Sequence, residues 1–142
     1  MSIIVDASVG IQWTIQEPTS ARALTLLDST IFVPDLFFAE CANILWKKVT
    51  RKEITVVEAR DCAQWLETLD LRVVSMTGLF RAALALACDL GHPAYDCIYL
   101  ALARARDMPL VTADLVLLER CRKSKKHEWL KDLVRPLASG SH

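Results

Sequence analysis

Four acidic residues of this chain stand in apolar surroundings, where a negative charge is costly. Asp6 and Asp114 each follow a short apolar run, and Glu40 and Asp96 each interrupt an apolar stretch that holds almost no other charge. A carboxylate in such a place must be paired or bind a cation. If the fold brings the four together, their mutual repulsion favours a divalent ion, and oxygen ligands favour Mg²⁺ or Mn²⁺ over zinc or copper.

A cation site of this kind suits the hydrolysis of phosphodiester bonds. A bound metal lowers the pKa of a water molecule and offsets charge in the transition state, while a free carboxylate accepts the proton of the water. Ser8 and Thr112 stand near two of the acids in sequence and are placed to orient a metal-bound water or a phosphate; the alternative is that Ser8 is a helix cap and Thr112 a strand residue without a further role. Asn43 lies one turn after Glu40 on the same helix face.

For each acid the sequence also permits a purely structural role. Glu40 is explained by a buried ion pair with an arginine, and Asp96 by the dipole of its helix. Asp6 is explained as a turn residue before a helix that Ser8 caps, and Asp114 as the N-cap of the helix after it. Because few bases stand near these acids in the sequence, the four together favour the metal site.

Short apolar runs alternate with helical patterns along the chain. Strands are predicted at 2–5, 31–33, 71–75, 110–112 and 134–137. Helices are predicted at 8–13, 19–28, 35–48, 55–69, 77–90, 93–107 and 115–122. The alternation predicts an α/β fold, a three-layer α/β/α sandwich with a short-stranded, mainly parallel central sheet. In such sheets ligands bind beyond the carboxyl ends of the strands, where Asp6 and Asp114 stand. Residues 36–46 contain only Glu40 and Asn43 as polar residues, so this helix is predicted to be buried all round.

Length and composition indicate one domain at residues 1–137, with 138–142 as the start of a tag linker. The formal net charge is zero, which argues against a strong nonspecific nucleic-acid binder. The five cysteines form no CxxC pair and the three histidines lack ligand spacing, so a zinc site is not expected. Free thiols in a reducing cytoplasm are expected instead. No apolar run approaches the roughly 20 residues that span a bilayer, so no membrane partner is expected.

Four short motifs together resemble those of the PIN-domain family. They are Ile-Val-Asp-Ala-Ser-Val at 4–9, Ala-Glu-Cys-Ala-Asn-Ile-Leu at 39–45, Tyr-Asp-Cys-Ile-Tyr-Leu-Ala at 95–101 and Val-Thr-Ala-Asp at 111–114. Their order and spacing agree with the family, and the match runs from about Ser2 to Val134. The most similar subgroup is the VapC-type toxins of toxin–antitoxin pairs.

The resemblance implies an endoribonuclease that depends on Mg²⁺ or Mn²⁺. Asp6, Glu40 and Asp96 would be the main metal-site acids, and Asp114 the fourth and more variable one. It also implies a homodimer that is silenced by a cognate antitoxin, which inserts a basic residue or blocks the acidic pocket. The segment after Asp114 departs from the family, because it lacks a phenylalanine often found there and carries basic residues instead.

Two basic clusters are predicted to frame the rim of the site and to contact RNA phosphates. Solvated surface is the alternative explanation for both. The first cluster consists of Lys47, Lys48, Arg51 and Lys52. The second lies within residues 120–126 and includes Arg122, Lys123, Lys125 and Lys126.

Two other function classes compete with the nuclease. A phosphoaspartate enzyme would use Asp6 as nucleophile, but phosphatases of the haloacid dehalogenase type require a second acid two positions later, where this chain has Ser8. A receiver module requires a lysine at a late strand end, which 110–112 lacks. A noncatalytic PIN-fold binding or dimerisation module is the main alternative, and the apolar helices with Trp46 and Trp65 are candidates for a dimer face.

Overall fold

The structure is a computed structural model that describes residues 1–137 of the chain. The tail at 138–142, predicted from the sequence to be a tag linker, lies outside the described residues. The strands are β1 Ser2–Val5, β2 Thr30–Pro34, β3 Arg72–Val74, β4 Leu110–Thr112 and β5 Val134–Pro136. The α-helices are α1 Ala7–Gly10, α2 Ser20–Thr25, α3 Leu36–Thr50, α4 Val56–Glu67, α5 Phe80–Leu90, α6 Ala94–Arg106, α7 Leu115–Lys123 and α8 Trp129–Leu133. Short 3₁₀-helices cover Ile11–Trp13, Leu26–Asp28 and Met76–Leu79.

The five strands form one fully parallel sheet in the order β3-β2-β1-β4-β5. The chain builds outward from β1 to β2 and β3, and then crosses to the other side of β1 to add β4 and β5. The strand order therefore reverses between β1 and β4. In open parallel sheets the crevice for ligands lies at this point, beyond the carboxyl ends of the strands.

Helices cover both faces of the sheet, which confirms the predicted α/β/α sandwich. Alternate residues of β1 enter different cores, because successive side chains of a strand point to opposite faces. Ile3 and Val5 pack with residues of α1 to α4, and Ile4 packs with residues of α5 to α8. The central strands β1 and β4 are mostly apolar because both of their faces are buried, whereas the edge strands β3 and β5 carry the exposed Arg72 and Arg135.

Local signals set the ends of several helices. Thr55 caps α4 in a capping box with Glu58, and Gly91 ends α5 in the left-handed conformation with φ of 62°. The sequence predicts Thr77 as the cap of the helix before Gly91, but Ser75 caps the 3₁₀-turn that leads into α5 instead. The five-residue α8 is absent from the predicted elements, because a helix this short shows no usable periodicity.

The prediction that the helix at 36–46 is buried all round is wrong. Phe37 and Leu45 of α3 are buried, whereas Trp46 is 59% exposed and Phe38 is 37% exposed. A helix on one face of a sheet presents only one stripe to that sheet, and here the stripe contains every fourth residue from Phe37. Leu36, Ile44 and Val49 of α3 are partly buried, and Trp65 of α4 is a further large apolar side chain that is 39% exposed.

All five cysteines are free thiols, as predicted. Burial raises the pKa of Cys41 and of Cys121 to about 12, so both stay protonated at neutral pH and serve as small apolar core residues. Within residues 1–137, no helix is both long enough and apolar enough to cross a membrane.

Candidate active site

A cavity of about 460 Å³ opens beside the carboxyl end of β1, where the strand order reverses. All four predicted acids contribute to its wall, together with two of the predicted supporting residues, Ser8 and Asn43. The remaining wall residues are Ala7, Leu36, Ala39, Ile44 and Tyr95. No lysine, arginine or histidine of the described chain is among them. The fold therefore gathers the four acids into one cavity whose wall, within the described chain, contains no basic residue.

Asp6 is the most buried of the four acids, with 5% of its surface exposed. Its Oδ1 accepts from the Ser8 hydroxyl at 2.5 Å, and its Oδ2 accepts from the Thr112 hydroxyl at 2.5 Å. Its Oδ1 also accepts from the backbone N–H of Val9, which makes Asp6 the N-cap of α1. The alternative in which Ser8 caps this helix is therefore wrong, because Ser8 is turned toward Asp6 and the neighbouring strand.

Burial raises the pKa of Asp6 from 3.8 to about 6, because a carboxylate loses its hydration inside the protein. The hydrogen bonds from Ser8 and Thr112 lower this pKa, and the negative charge of Asp96 raises it. The raised value shows that the fold holds this carboxylate at an energetic cost when no cation neutralises it.

Ser8 and Thr112 connect the ends of β1 and β4 around Asp6. The Ser8 hydroxyl oxygen accepts from the backbone N–H of Ala113 at 3.0 Å, and the Thr112 hydroxyl oxygen accepts from the N–H of Asp114 at 3.0 Å. Each hydroxyl thus donates to Asp6 and accepts from the loop after β4. The two predicted supporting residues are fixed in place by this network.

Glu40 lies on α3 and is partly buried. Its Oε1 accepts from the Tyr99 hydroxyl at 2.7 Å. Burial and the nearby charge of Asp96 raise the pKa of Glu40, although the hydrogen bond from Tyr99 lowers it. The alternative of a buried arginine partner is wrong, since no ion pair of Glu40 is found within the described chain.

Asp96 lies in the first turn of α6, where its charge also complements the helix dipole. Its Oδ2 is 2.5 Å from Nε2 of His92, and the side chain of His92 is 4% exposed. Neither His92 nor Tyr99 was predicted from the sequence to have a role at the site. The spacing of Tyr99, three residues after Asp96 on α6, is the one sequence signal that could have indicated it, because such residues share a helix face. His92 precedes α6 and gives no such signal.

Asp114 caps α7, as its structural explanation predicted. Its Oδ1 accepts from the backbone N–H groups of Val116 at 2.9 Å and Leu117 at 3.2 Å. Asp114 also contributes to the cavity wall. The capping bonds fix its carboxylate beside the cavity, so the capping role and a role toward a cation are compatible.

The residues of the cavity fit a hard divalent cation. The donors are carboxylate, amide and hydroxyl oxygens, and burial together with the nearby charge of Asp96 raises the pKa values of Asp6 and Glu40. In residues 1–137, no three acidic, histidine or cysteine side chains come close enough to hold one ion between them. An ion here would bind one or two carboxylates directly and contact the others through water, which is the usual coordination of Mg²⁺ in proteins.

The structure places the predicted basic residues outside the cavity wall. Lys47 is exposed on α3, seven residues after Glu40 and so on a neighbouring part of the same helix face, and Arg51 is exposed at the C-cap just after α3 ends. Lys48 is instead engaged with Glu53 at 3.4 Å. Lys52 has a positive φ of 61° just after α3 ends.

The basic residues after Asp114 mostly have partners of their own. Arg122 and Lys123 pair with Glu119 at 3.7 Å and 3.5 Å, and Lys126 pairs with Asp89 at 3.2 Å. Lys125 is exposed. Exposed ion pairs of this kind are weak, so these side chains can still exchange their partners for phosphate groups.

Comparison with known proteins agrees with this geometry. The family model described as "PIN domain" matches residues 3–123. Ribonuclease VapC3 of Pyrobaculum aerophilum is 32% identical over 124 residues, which cover 84% of this chain and 95% of the relative.

Solved structures share the fold at lower sequence identity. PAE2754 from Pyrobaculum aerophilum superposes with a TM-score of 0.68 at 21% identity, covering 94% of this chain and 89% of the other. A toxin–antitoxin complex from Klebsiella pneumoniae contains a chain that superposes with a TM-score of 0.57 at 14% identity, covering 79% of this chain and 86% of the other. The family model spans most of this chain, and the match to Ribonuclease VapC3 spans nearly the whole length of that relative. This protein therefore belongs to the PIN-domain family and, within it, to the VapC group.

Proposed function

We propose that this protein is a metal-dependent endoribonuclease that acts as the toxin of a toxin–antitoxin pair. The observation that carries the proposal is the single cavity in which Asp6, Glu40, Asp96 and Asp114 meet without a lysine or arginine. A negative pocket of oxygen donors repels RNA unless a cation stands between them, so the proposed cofactor is Mg²⁺ or Mn²⁺. The relative named as a ribonuclease supports the reaction class.

The four acids receive different roles in this proposal. The bound metal would supply a nucleophilic water at neutral pH and offset charge in the transition state. Asp6 would be the main ligand of the metal, because two hydroxyls fix its carboxylate. Glu40, Asp96 and Asp114 would bind the metal or its water. Glu40 would also accept the proton of the attacking water, because its raised pKa brings it closer to neutral pH.

The proposed supporting residues position the substrate side of the reaction. Ser8 and Thr112 hold Asp6 and the loop after β4. Asn43 is exposed one turn after Glu40, where its amide can donate to a phosphate oxygen. These roles follow from position and hydrogen-bonding capacity.

RNA phosphates are proposed to contact basic residues beyond the cavity. Lys47 and Arg51 are favoured, because they follow Glu40 along α3 and at its C-cap and are exposed. The remaining members of the proposed RNA-contact set are Lys48, Lys52, Arg122, Lys123, Lys125 and Lys126. Their contribution explains how a chain with a net charge of zero binds a polyanion.

The proposed partners are RNA, a cognate antitoxin and a second copy of the chain, and the proposed place of action is the cytoplasm. The structural neighbour described as a toxin–antitoxin complex supports the antitoxin. Phe38, Trp46 and Trp65 are large apolar side chains of α3 and α4 that are exposed to solvent, which supports a protein partner. Residues 1–137 are proposed to fold as one domain, because both cores share the same sheet.

RNA cleavage by purified protein tests the reaction. Wild type should cleave RNA with Mn²⁺ and stop cleaving when EDTA is added, and Asp6→Asn and Asp96→Asn should abolish cleavage. Asp61→Asn is the matched control, because Asp61 is an exposed acid on α4 outside the cavity. Cleavage that persists in Asp6→Asn, or that is equally fast in EDTA, would contradict the proposal. A noncatalytic module would show no cleavage by wild type.

A further inference from the structure

Two polar side chains beyond the four acids each hold one carboxylate of the cavity. The Tyr99 hydroxyl donates to Oε1 of Glu40 at 2.7 Å, and Nε2 of His92 lies 2.5 Å from Oδ2 of Asp96. Tyr99 is 1% exposed and His92 is 7% exposed. Polar atoms are costly to bury unless they are hydrogen-bonded, and within residues 1–137 neither side chain makes another hydrogen bond. The carboxylates are therefore the partners of the Tyr99 hydroxyl and of Nε2 of His92, whereas Nδ1 of His92 is buried without a partner in the described chain.

We propose that Tyr99 and His92 are positioning residues of the cation site, an inference that rests on the proposed function. Asp96 stands four residues after His92 and three residues before Tyr99, so the three share one side of α6 and its entry. Through Tyr99, the helix that carries Asp96 also fixes Glu40 on α3. One helix thus sets the spacing of two acids that belong to different elements.

The hydrogen bonds leave each carboxylate with one oxygen for a cation. Oε1 of Glu40 and Oδ2 of Asp96 are engaged, whereas Oε2 of Glu40 and Oδ1 of Asp96 accept no hydrogen bond from the described chain. A carboxylate held at one oxygen has lost most of its rotational freedom before an ion arrives. Ligands oriented in this way bind metal more tightly, because less entropy is lost on binding.

The Tyr99 hydroxyl has no packing function that a phenylalanine could not supply. Its ring lies in the core of α5 to α8, and a phenylalanine ring fills nearly the same volume. Burial and the neighbouring Glu40 raise the pKa of the Tyr99 hydroxyl, so it remains a proton donor at any physiological pH. Tyr99→Phe therefore removes one donor to Glu40 and leaves the core filled.

Mn²⁺ binding to the purified protein, measured by calorimetry, tests the inference without reference to activity. Tyr99→Phe and His92→Leu should each lower the Mn²⁺ affinity by on the order of 10–100-fold. His92→Gln should recover part of the loss, because its amide can donate to Asp96. Ser20→Ala is the matched control: Ser20 is buried and its hydroxyl donates to the carbonyl of Ile15, outside the cavity. Its affinity for Mn²⁺ should equal that of wild type.

A double mutant separates positioning from general destabilisation. In a Glu40→Gln background, Tyr99→Phe should cause little further loss of Mn²⁺ affinity, because Tyr99 acts through Glu40. An equal loss in both backgrounds, or wild-type affinity in Tyr99→Phe and His92→Leu, would overturn the inference while the proposed function stands. Failure of wild type both to bind Mn²⁺ and to cleave RNA would overturn the proposed function and this inference with it.

Discussion

Thr112 donates its hydroxyl hydrogen to Oδ2 of Asp6 at 2.5 Å, although the two residues are 106 positions apart in the chain. The contact exists because β1 and β4 are neighbours, with Val5 paired to Val111. The residue after one strand and the last residue of the other therefore meet at the point where the strand order reverses. This contact, with that of Ser8, fixes the orientation of the most buried acid in the cavity.

Thr112→Val should keep the shape of β4 and remove one donor to Asp6. The hydrogen bond from Thr112 lowers the pKa of Asp6, so its loss should raise that pKa above about 6. RNA cleavage with Mn²⁺ should fall by on the order of 10–100-fold, because a ligand has lost its orientation. Side-chain carboxyl NMR reports the pKa, and steady-state cleavage reports the rate. An unchanged Asp6 titration would contradict the role given to Thr112.

Asp6→Asn should make the protein more stable in EDTA at pH 7.5. The pKa of Asp6 is about 6 in the folded chain, against 3.8 for a solvated aspartate, so the folded state holds this proton more tightly. Stability from this group is present below about pH 4 and is lost as pH rises to about 6, by about 3 kcal/mol in all. An asparagine carries no charge and avoids the loss.

Urea unfolding in EDTA at pH 4.5 and pH 7.5 measures this effect. The stability advantage of Asp6→Asn over wild type should be large at pH 7.5 and should shrink toward pH 4.5. A variant that is less stable than wild type at pH 7.5 would contradict the claim that the ionised Asp6 carboxylate destabilises the metal-free fold.

Gly10→Ala should destabilise the protein and disturb the cavity from a distance. A Cβ at this position would stand 2.5 Å from the ring of Phe37, which is fully buried on α3 one turn before Glu40. Overpacking of this kind costs about 1–3 kcal/mol and moves the displaced helix. Gly78→Ala is the control, because a Cβ there meets nothing within 4 Å. Equal unfolding free energies for the two variants would contradict the tight approach of α1 to α3.

Lys47→Glu together with Arg51→Glu should raise the KM for RNA more than it lowers kcat. Phosphate contacts act mainly through affinity, and each lost contact also reduces the dependence of binding on salt. Arg60→Glu is the control, because Arg60 is exposed on α4 and is not among the proposed RNA-contact residues. If reversing the charges of both proposed clusters leaves cleavage unchanged, the basic residues do not frame the site.

The sequence predicts those parts of the fold that depend on local patterns. Strands at Ser2–Val5 and Leu110–Thr112 have the predicted bounds, because both faces of each strand are apolar. The helix cap after β1 could not be assigned from local sequence, since Asp6 and Ser8 are both good caps. In the folded chain Asp6 caps the helix through Oδ1, and its Oδ2 accepts from the distant Thr112, a contact that local sequence does not show.

The four acids were predictable because each is an exception to an apolar pattern. The contacts of Tyr99 and His92 were not, because a buried tyrosine or histidine matches an apolar pattern and its polar atom gives no separate signal. The Tyr99 contact also joins residues 59 positions apart, on helices whose relative placement only the folded chain defines. The exposed face of α3 was also missed, because local sequence does not show how many other elements pack around a helix.

The central claim is that these acids form one cation site, and crystals soaked in Mn²⁺ test it most directly. Data collected at the manganese edge should show an anomalous peak within the cavity, in contact with Asp6 and at least one other of the four acids. The peak should be absent from Asp6→Asn crystals prepared in the same way. A wild-type crystal that shows no manganese in this cavity, from protein that cleaves RNA in EDTA, would contradict the account.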